Sequence, residues 1–466
     1  MSKKIIVFFV CLLGLHLFLL FNLQFTVWPE MISYAYLRNN GFLLYKDMIH
    51  PYPPILTMAL AFLYKVFGYK LLVLKIFTWT IILVNDLLIV AIVRKITKNN
   101  LSVILSLTSY ILLQPFLEGN QLWFDLAIVP PVLLATYYLL QKSSPKNLII
   151  IGFALGVAAL IKQTAGLYLV FSILYIVYRN RKFKPTLYLL LGPMFLGLVL
   201  ILRLIAENSL ANFINWTLIY PLTYWSKFPG YVQMTLSNHQ LLTLALLILP
   251  LVLLLVKSWK SFLANKPMLF TTCYLLLSFA LVYPRFSFFH LQLVLAFIAI
   301  LFGYLAGRIK SKFIYALCAM YFVLIAIIII RPTVISDWKK EPRFWGEKDI
   351  KLGELIFQRT NPDDKIFLLG PYSTLYVFAG RVPPKRWTDN FGWYLEIPGV
   401  QEEIISGWAK DPPESIFWQK PLKGNWHDLG VYQPKKIKNW IEENYIKKEE
   451  VSSGIWLWQR KLALSE

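Results

Sequence analysis

Residues 28–68 read WPEMISYAYLRNNGFLLYKDMIHPYPPILTMALAFLYKVFG, and the order of polar and apolar residues in this stretch decides how the rest of the chain is read. An acid, Glu30, follows closely on a long apolar run near 5–25. An aromatic, amphipathic stretch comes next, then Gly41, Tyr45, Asp47 and His50, and then Pro51-Tyr52-Pro53-Pro54 opens another apolar helix. Proline costs little at a helix start, where the first backbone N–H groups lack partners anyway. The segment 55–68 is too short to cross a bilayer, which takes about 20 apolar residues. It is expected to lie in the interface. The preceding run has no small-residue cleavage site and leads into Trp28-Pro29, so it reads as an anchor rather than a removed signal peptide.

The flanking sequence is of the same kind. Apolar runs long enough to be read as spans fall near 5–25, 70–93, 101–117, 122–141, 147–162, 164–178, 185–205, 239–256, 268–284, 289–307 and 313–331. The expected fold class is therefore an α-helical polytopic membrane protein of about 11 transmembrane helices, most closely spaced over 101–178. Composition agrees: 57% of the 466 residues are apolar and 15% charged, whereas soluble domains carry about 25% charge. That excludes a disordered chain. A formal charge of +22 raises nucleic acid as a partner, but a nucleic-acid module seldom buries such long apolar runs. Cys11, Cys273 and Cys318 all lie in apolar stretches, so no disulfide framework is implied.

The charge is unevenly spread. Residues 331–466 hold 21 basic and 19 acidic residues and look like ordinary soluble protein, whereas residues 1–330 hold 26 basic and only six acidic ones. Two regions follow: a multi-span membrane domain over 1–331 and a soluble domain over 332–466. Basic residues cluster in alternate short loops, among them Arg94-Lys95-Lys98, Arg179-Arg181-Lys182-Lys184 and Arg308-Lys310-Lys312, which marks those loops as cytoplasmic. The N-terminus is then cytoplasmic and the C-terminal domain extracytoplasmic, in a multi-pass protein of the cell (plasma) membrane. In that domain KIFLLG (365–370), SIFW (415–418) and GIWLWQRK (454–461) read as strands. PYSTLYVFAG (371–380), VQEEIISGWAK (400–410) and PKKIKNWIEENY (434–445) read as helices, giving a small α/β domain.

The 28–68 stretch resembles the first outside loop of the GT-C glycosyltransferases, specifically the branch of protein O-mannosyltransferases and lipid A aminoarabinose transferases. The shared pattern is an acid after the first span, a glycine, Tyr-x-Asp, a histidine and a Pro-Pro helix. Here these are Glu30, Gly41, Tyr45-Lys46-Asp47, His50 and Pro53-Pro54. Two departures are visible: Pro29-Glu30-Met31 stands where the family commonly has Asp-Glu, and Tyr52 stands where some relatives carry a basic residue. The resemblance implies a membrane enzyme that takes a sugar from a polyprenyl-phosphate donor on the extracytoplasmic face.

Chemistry supplies an independent reason for such residues. Transfer of a phosphate-linked sugar to a hydroxyl needs a carboxylate to take the acceptor proton, and cations to hold the leaving phosphate. Glu30 fits the carboxylate role; its alternative is an interfacial acid at a helix start. In LEGNQLWFDLAIVPP (117–131), Asp125 matches a second acid of the resembled enzymes, with Glu118 as competitor; both read equally as an ordinary polar turn. Asp86 lies inside a span, where an ionisable group must pair or face a cavity, and pairing with another helix is expected. Glu207, at the start of a long loop, reads as solvated.

Two places offer cations. Lys162-Gln163-Thr164 combines an ammonium, a hydroxyl and a helix start, and resembles a Lys-Gln-Thr turn of the family; a snorkelling lysine is the alternative. Arg285 and His290, in YPRFSFFHLQLVLAF (283–297), resemble its Arg…His segment; arginine suits phosphate because its planar fork binds two oxygens, while His290 reads otherwise as an interfacial residue. Asp47 and His50 complete the expected substrate-binding set.

The leading reading is an inverting, metal-independent or weakly metal-dependent glycosyltransferase for hexosyl or pentosyl transfer. Glu30 and Asp125 would be catalytic; Asp47, His50, Glu118, Lys162, Arg285 and His290 would bind substrate. Partners are membrane lipid, the polyprenyl-phosphate-linked sugar and a glycan, lipid or protein acceptor. The histidines are singletons, so no metal cluster is expected, though a divalent cation at the acids stays open. The alternative is a transporter or flippase for a lipid-linked saccharide, against which stands the lack of a second copy of the 28–68 pattern.

Overall fold

The computed structural model describes residues 3–308, 311–420 and 433–461; Lys310, one of the expected cytoplasmic markers, lies outside them. The chain divides into two compact units, each discontinuous in sequence: residues 1–26, 74–200 and 233–341 in one, and 27–73, 201–232 and 342–466 in the other.

The first unit is helical. Five helices among the described residues are long and apolar enough to cross a membrane: Leu71–Thr97, Lys184–Ala206, Asn238–Lys260, Phe288–Ala306 and Tyr315–Asp337. Shorter apolar helices, such as Asn100–Leu113, Pro145–Ile161 and Lys266–Ala280, lie beside them in sequence. The helix Gln292–Ala306 is buried along its whole length. By contrast Met194, Phe195 and Leu198 on the helix Lys184–Ala206 are exposed, an apolar face that lipid rather than water would cover.

Small residues set the closest helix approaches. A Cβ added to Gly303 would lie 1.9 Å from Ser106 Oγ, and one added to Gly307 2.2 Å from Ser102 Oγ. The helices Asn100–Leu113 and Gln292–Ala306 therefore meet along a seam of serine and glycine, the packing that apolar helices use where no hydrophobic force separates helix from lipid. Gly152 repeats the device, its absent Cβ lying 1.8 Å from the Leu189 carbonyl oxygen.

The second unit carries the helices Glu30–Asn39 and Ile55–Phe67 of the opening stretch. Along the second of these Leu56, Leu60 and Tyr64 are buried while Phe62, Val66 and Phe67 are exposed, the one-sided pattern of an interfacial helix. Its C-terminal residues 342–466 contain strands β1 (Ile366–Leu369), β2 (Ser415–Gln419), β3 (Tyr445–Ser452) and β4 (Ile455–Arg460) in the sheet order β1-β2-β4-β3. β1 and β2 run parallel, with the helix Val400–Lys410 in their connection; β4 is antiparallel to both β2 and β3. The run 434–445, read from sequence as a helix, is one up to Asn444, where β3 begins. Glu207 departs from its expected solvation: it accepts from Arg203 at 3.0 Å and pairs with Arg38 at 3.5 Å.

Candidate functional site

Glu30 is the first residue of its helix, placed there by Pro29, whose fixed φ of −52° already fits helical backbone. Its side chain turns inward and is only 5% exposed, and its Oε2 has no hydrogen-bond partner. It lines a cavity of about 20 Å³ together with Tyr372, Ser373, Asp389, Asn390 and Phe391. That is room for one water-sized group, such as a hydroxyl. Asp389 is the second carboxylate there, also with one buried oxygen unpartnered.

Both carboxyls hold their protons more tightly than usual, and Asp389 adds to the effect at Glu30. Burial pushes Glu30 well above the usual carboxylate range, and the negative charge of Asp389 pushes it further. Burial also pushes Asp389 up, to about 6, although hydrogen bonds from the hydroxyls of Ser373 and Tyr34 favour its ionised form. Asp389 is thus the acid stabilised by donors, and Glu30 the one that keeps its proton longer. A carboxyl shifted toward neutrality suits a general base.

Asp389 also makes stability depend on pH. Its folded-state affinity for the proton exceeds that of an unfolded aspartate near 3.9, so the stability it contributes is complete below about 4 and is lost as pH rises through about 6. Asn at this position keeps an acceptor for Tyr34 and Ser373 without the charge. Asp389→Asn is therefore expected to be more stable than the parent at pH 8, by on the order of 2–3 kcal/mol, and no more stable at pH 4. Thermal unfolding in detergent at the two pH values measures this; equal gains at both would remove the charge argument.

Behind this pair, Tyr34 packs on the ring of His50 at 4.9 Å. His50 is fully buried, its Nδ1 donating to the Tyr52 carbonyl at 2.6 Å and its Nε2 accepting from Thr57 Oγ1 at 2.8 Å. Burial lowers it to about 4, so the ring is neutral and serves as a strut for Tyr34. Asp47 accepts the Leu43 N–H at 2.9 Å and pairs with Lys385 at 2.9 Å, closing the turn in which Tyr45 takes a positive φ of 67°.

The first unit gathers a second set of the expected residues. Asp125, at the start of the short helix Phe124–Ala127, bonds Lys162 Nζ at 2.6 Å through one oxygen and His290 Nδ1 at 2.9 Å through the other. All three are largely buried. Thr164, in the turn after Lys162, has a buried hydroxyl without a partner. Glu118 takes a left-handed backbone, φ 53°, and accepts from Ser287 Oγ at 2.5 Å and the Phe289 N–H at 3.1 Å. Arg285 donates to Gln233 at 3.1 Å. Among the described residues no three His, Cys, Asp or Glu side chains come together as a metal-binding group.

The sequence singles out Glu30, and separately Asp125, Lys162 and His290, which the structure brings together in one cluster; it does not single out Asp389. That acid is one of 19 in an ordinary-looking stretch, and its only local signal is the aromatic run Phe391-Gly392-Trp393-Tyr394 that follows.

Comparison with known proteins gives three likenesses. Residues 50–206 match the family model of dolichyl-phosphate-mannose-protein mannosyltransferases. The structure of ArnT from Cupriavidus metallidurans bound to undecaprenyl phosphate matches over 100% of both chains, with a TM-score of 0.62 at 13% identity. The archaeal oligosaccharyltransferase AglB from Archaeoglobus fulgidus, in complex with an inhibitory peptide and a dolichol-phosphate, matches 100% of this chain and 76% of its own, with a TM-score of 0.57 at 10% identity. No curated protein matches the sequence. The likeness to the solved structures is one of fold: the chain has the multi-span GT-C membrane fold of ArnT and AglB.

Proposed function

We propose that this chain is a multi-pass membrane glycosyltransferase that moves a sugar from a polyprenyl-phosphate carrier to an acceptor hydroxyl on the extracytoplasmic face. The observation that carries the reading is the Glu30 carboxylate, buried, with one oxygen free of partners and facing a cavity of hydroxyl size. Support comes from the fold shared with two structures whose bound lipids are undecaprenyl phosphate and a dolichol-phosphate, and from the family match over 50–206.

In the reaction, Glu30 accepts the proton of the acceptor hydroxyl as that oxygen attacks the anomeric carbon. The bond from that carbon to the phosphate oxygen breaks, its electrons leave with the polyprenyl phosphate, and configuration inverts. Asp389 raises the basicity of Glu30 through its charge. The cations suited to the phosphate are Lys162 and Arg285. An ammonium carries three N–H groups, of which Asp125 takes one, and the guanidinium presents a fork for two oxygens. Asp125 holds Lys162 and His290 in place. About eleven spans, a cytoplasmic N-terminus and an extracytoplasmic C-terminal domain that helps select the acceptor complete the proposal.

The test is purified protein with radiolabelled polyprenyl-phosphate sugars and a panel of glycan, lipid and peptide acceptors. The expected result is label transfer matched mole for mole by free polyprenyl phosphate. Saturable movement of the intact lipid-linked sugar between leaflets, with no transfer to any acceptor, would replace this reading by the flippase.

A further inference from the structure

The first unit contains a buried ionisable pair that the reaction above does not use. His16, on the helix Lys3–Asn22, and Asp86, on the helix Leu71–Thr97, are both fully buried. His16 Nδ1 lies 2.8 Å from Asp86 Oδ2, and its Nε2 lies 3.1 Å from Gln114 Oε1. Gln114 Nε2 donates to the Gly119 carbonyl at 2.9 Å and to Gln292 Oε1 at 3.2 Å. Gln292 Nε2 donates in turn to the Leu117 carbonyl at 3.0 Å. The fit is tight: a Cβ on Gly119 would fall 2.0 Å from the Gln114 carbonyl oxygen.

Partner chemistry fixes where the protons are. A backbone carbonyl only accepts, so each glutamine must aim its NH2 at Leu117 or Gly119 and its oxygen back along the chain. Gln114 Oε1 therefore accepts, and His16 Nε2 must carry a proton. The Nδ1 to Oδ2 bond needs one proton more, on either atom. The pair thus holds two protons and is neutral overall, as imidazolium with carboxylate or as imidazole with carboxylic acid. A net charge here would be costly in an apolar surrounding.

The chain of bonds ends at two functional segments. Leu117 and Gly119 flank Glu118, whose carboxylate holds Ser287 and Phe289. Gln292 directly follows the turn Phe288–Leu291, which carries His290 to Asp125. We propose that His16 and Asp86 are a positioning pair: through Gln114 and Gln292 they set the placement of His290 against Asp125. The catalytic part of this inference rests on the transfer reaction proposed above; the positioning part does not.

The experiment uses the full chain labelled with ¹⁵N-histidine; five histidines make side-chain NMR assignment by substitution practicable. His16→Phe and, should that variant fail to fold, Gln114→Leu are expected to shift the His290 ring resonances. Asp86→Asn is expected to leave them in place, because an Asn NH2 can donate to Nδ1 and keep the proton on Nε2. In the transfer assay His16→Phe should lower kcat roughly tenfold to a hundredfold with donor KM changed by less than about twofold, while Asp86→Asn stays near the parent. A folded His16→Phe or Gln114→Leu protein with unmoved His290 resonances overturns the proposal. So does an Asp86→Asn variant as impaired as His16→Phe, the result expected if the pair merely stabilises the helices. Absence of transfer by the parent protein would sink the enzymatic reading alone, and the resonances would still decide the positioning.

Discussion

Glu30→Gln is expected to lower kcat for sugar transfer by about 10²–10⁴-fold, the range that a positioned general base contributes. The side chain keeps its shape and loses only the ability to take a proton, and an amide can still satisfy the local geometry. The same experiment has a pH arm. The base must be ionised to act, so activity rises as pH passes upward through the Glu30 value, which burial and Asp389 hold above the ordinary range. Asp389→Asn removes the neighbouring negative charge, lowers the Glu30 value and moves the acid limb of kcat to lower pH. A limb that stays in place, or moves upward, would separate Asp389 from the chemistry. Unchanged kcat in Glu30→Gln would remove the base assignment itself.

Asp125→Ala is expected to cost about 3–5 kcal/mol of stability, because it strands the Lys162 ammonium in a largely buried place with its partner gone. The partner substitution distinguishes ion pairing from simple packing. Asp125→Ala combined with Lys162→Met leaves no uncompensated charge and is expected to recover most of the loss in thermal unfolding. Transfer should not recover with it if Lys162 faces a donor phosphate. Such a variant, well folded and inactive, isolates the cation's role in binding. A double variant no more stable than the single one would mean that the cost lies elsewhere in the cluster, with His290 as the next suspect.

What was legible in the sequence follows the range of the interactions. The 28–68 stretch announces itself through local rules: an acid after an apolar run, prolines before a helix, and a segment too short to span. The structure has its helices at Glu30–Asn39 and Ile55–Phe67 accordingly. Scarcity helped as well, since six acids in 330 residues make each one conspicuous. Asp389 had neither advantage. It sits in a region of ordinary charge, and only tertiary packing brings it to Glu30. β3 was hidden for another reason: YIKKEEVS exposes most of its side chains, so no alternation of apolar residues marks it, and it is held by backbone pairing with β4. The His16–Asp86 pairing was half visible. The need of Asp86 for a partner could be read from its place in a span, but the identity of that partner required the fold.

The second unit is stitched from residues 27–73, 201–232 and 342–466, and this imposes an order on biosynthesis. Its first piece leaves the ribosome long before the last one is made. At ordinary elongation speeds the wait is on the order of tens of seconds. During that interval Glu30 has no Asp389 beside it, and Tyr34 lacks Trp387, one of the rings it packs against. A premature stop anywhere before the sheet would leave these segments permanently unassembled, so nascent chains of this protein should depend on whatever holds such segments apart until the C-terminus arrives.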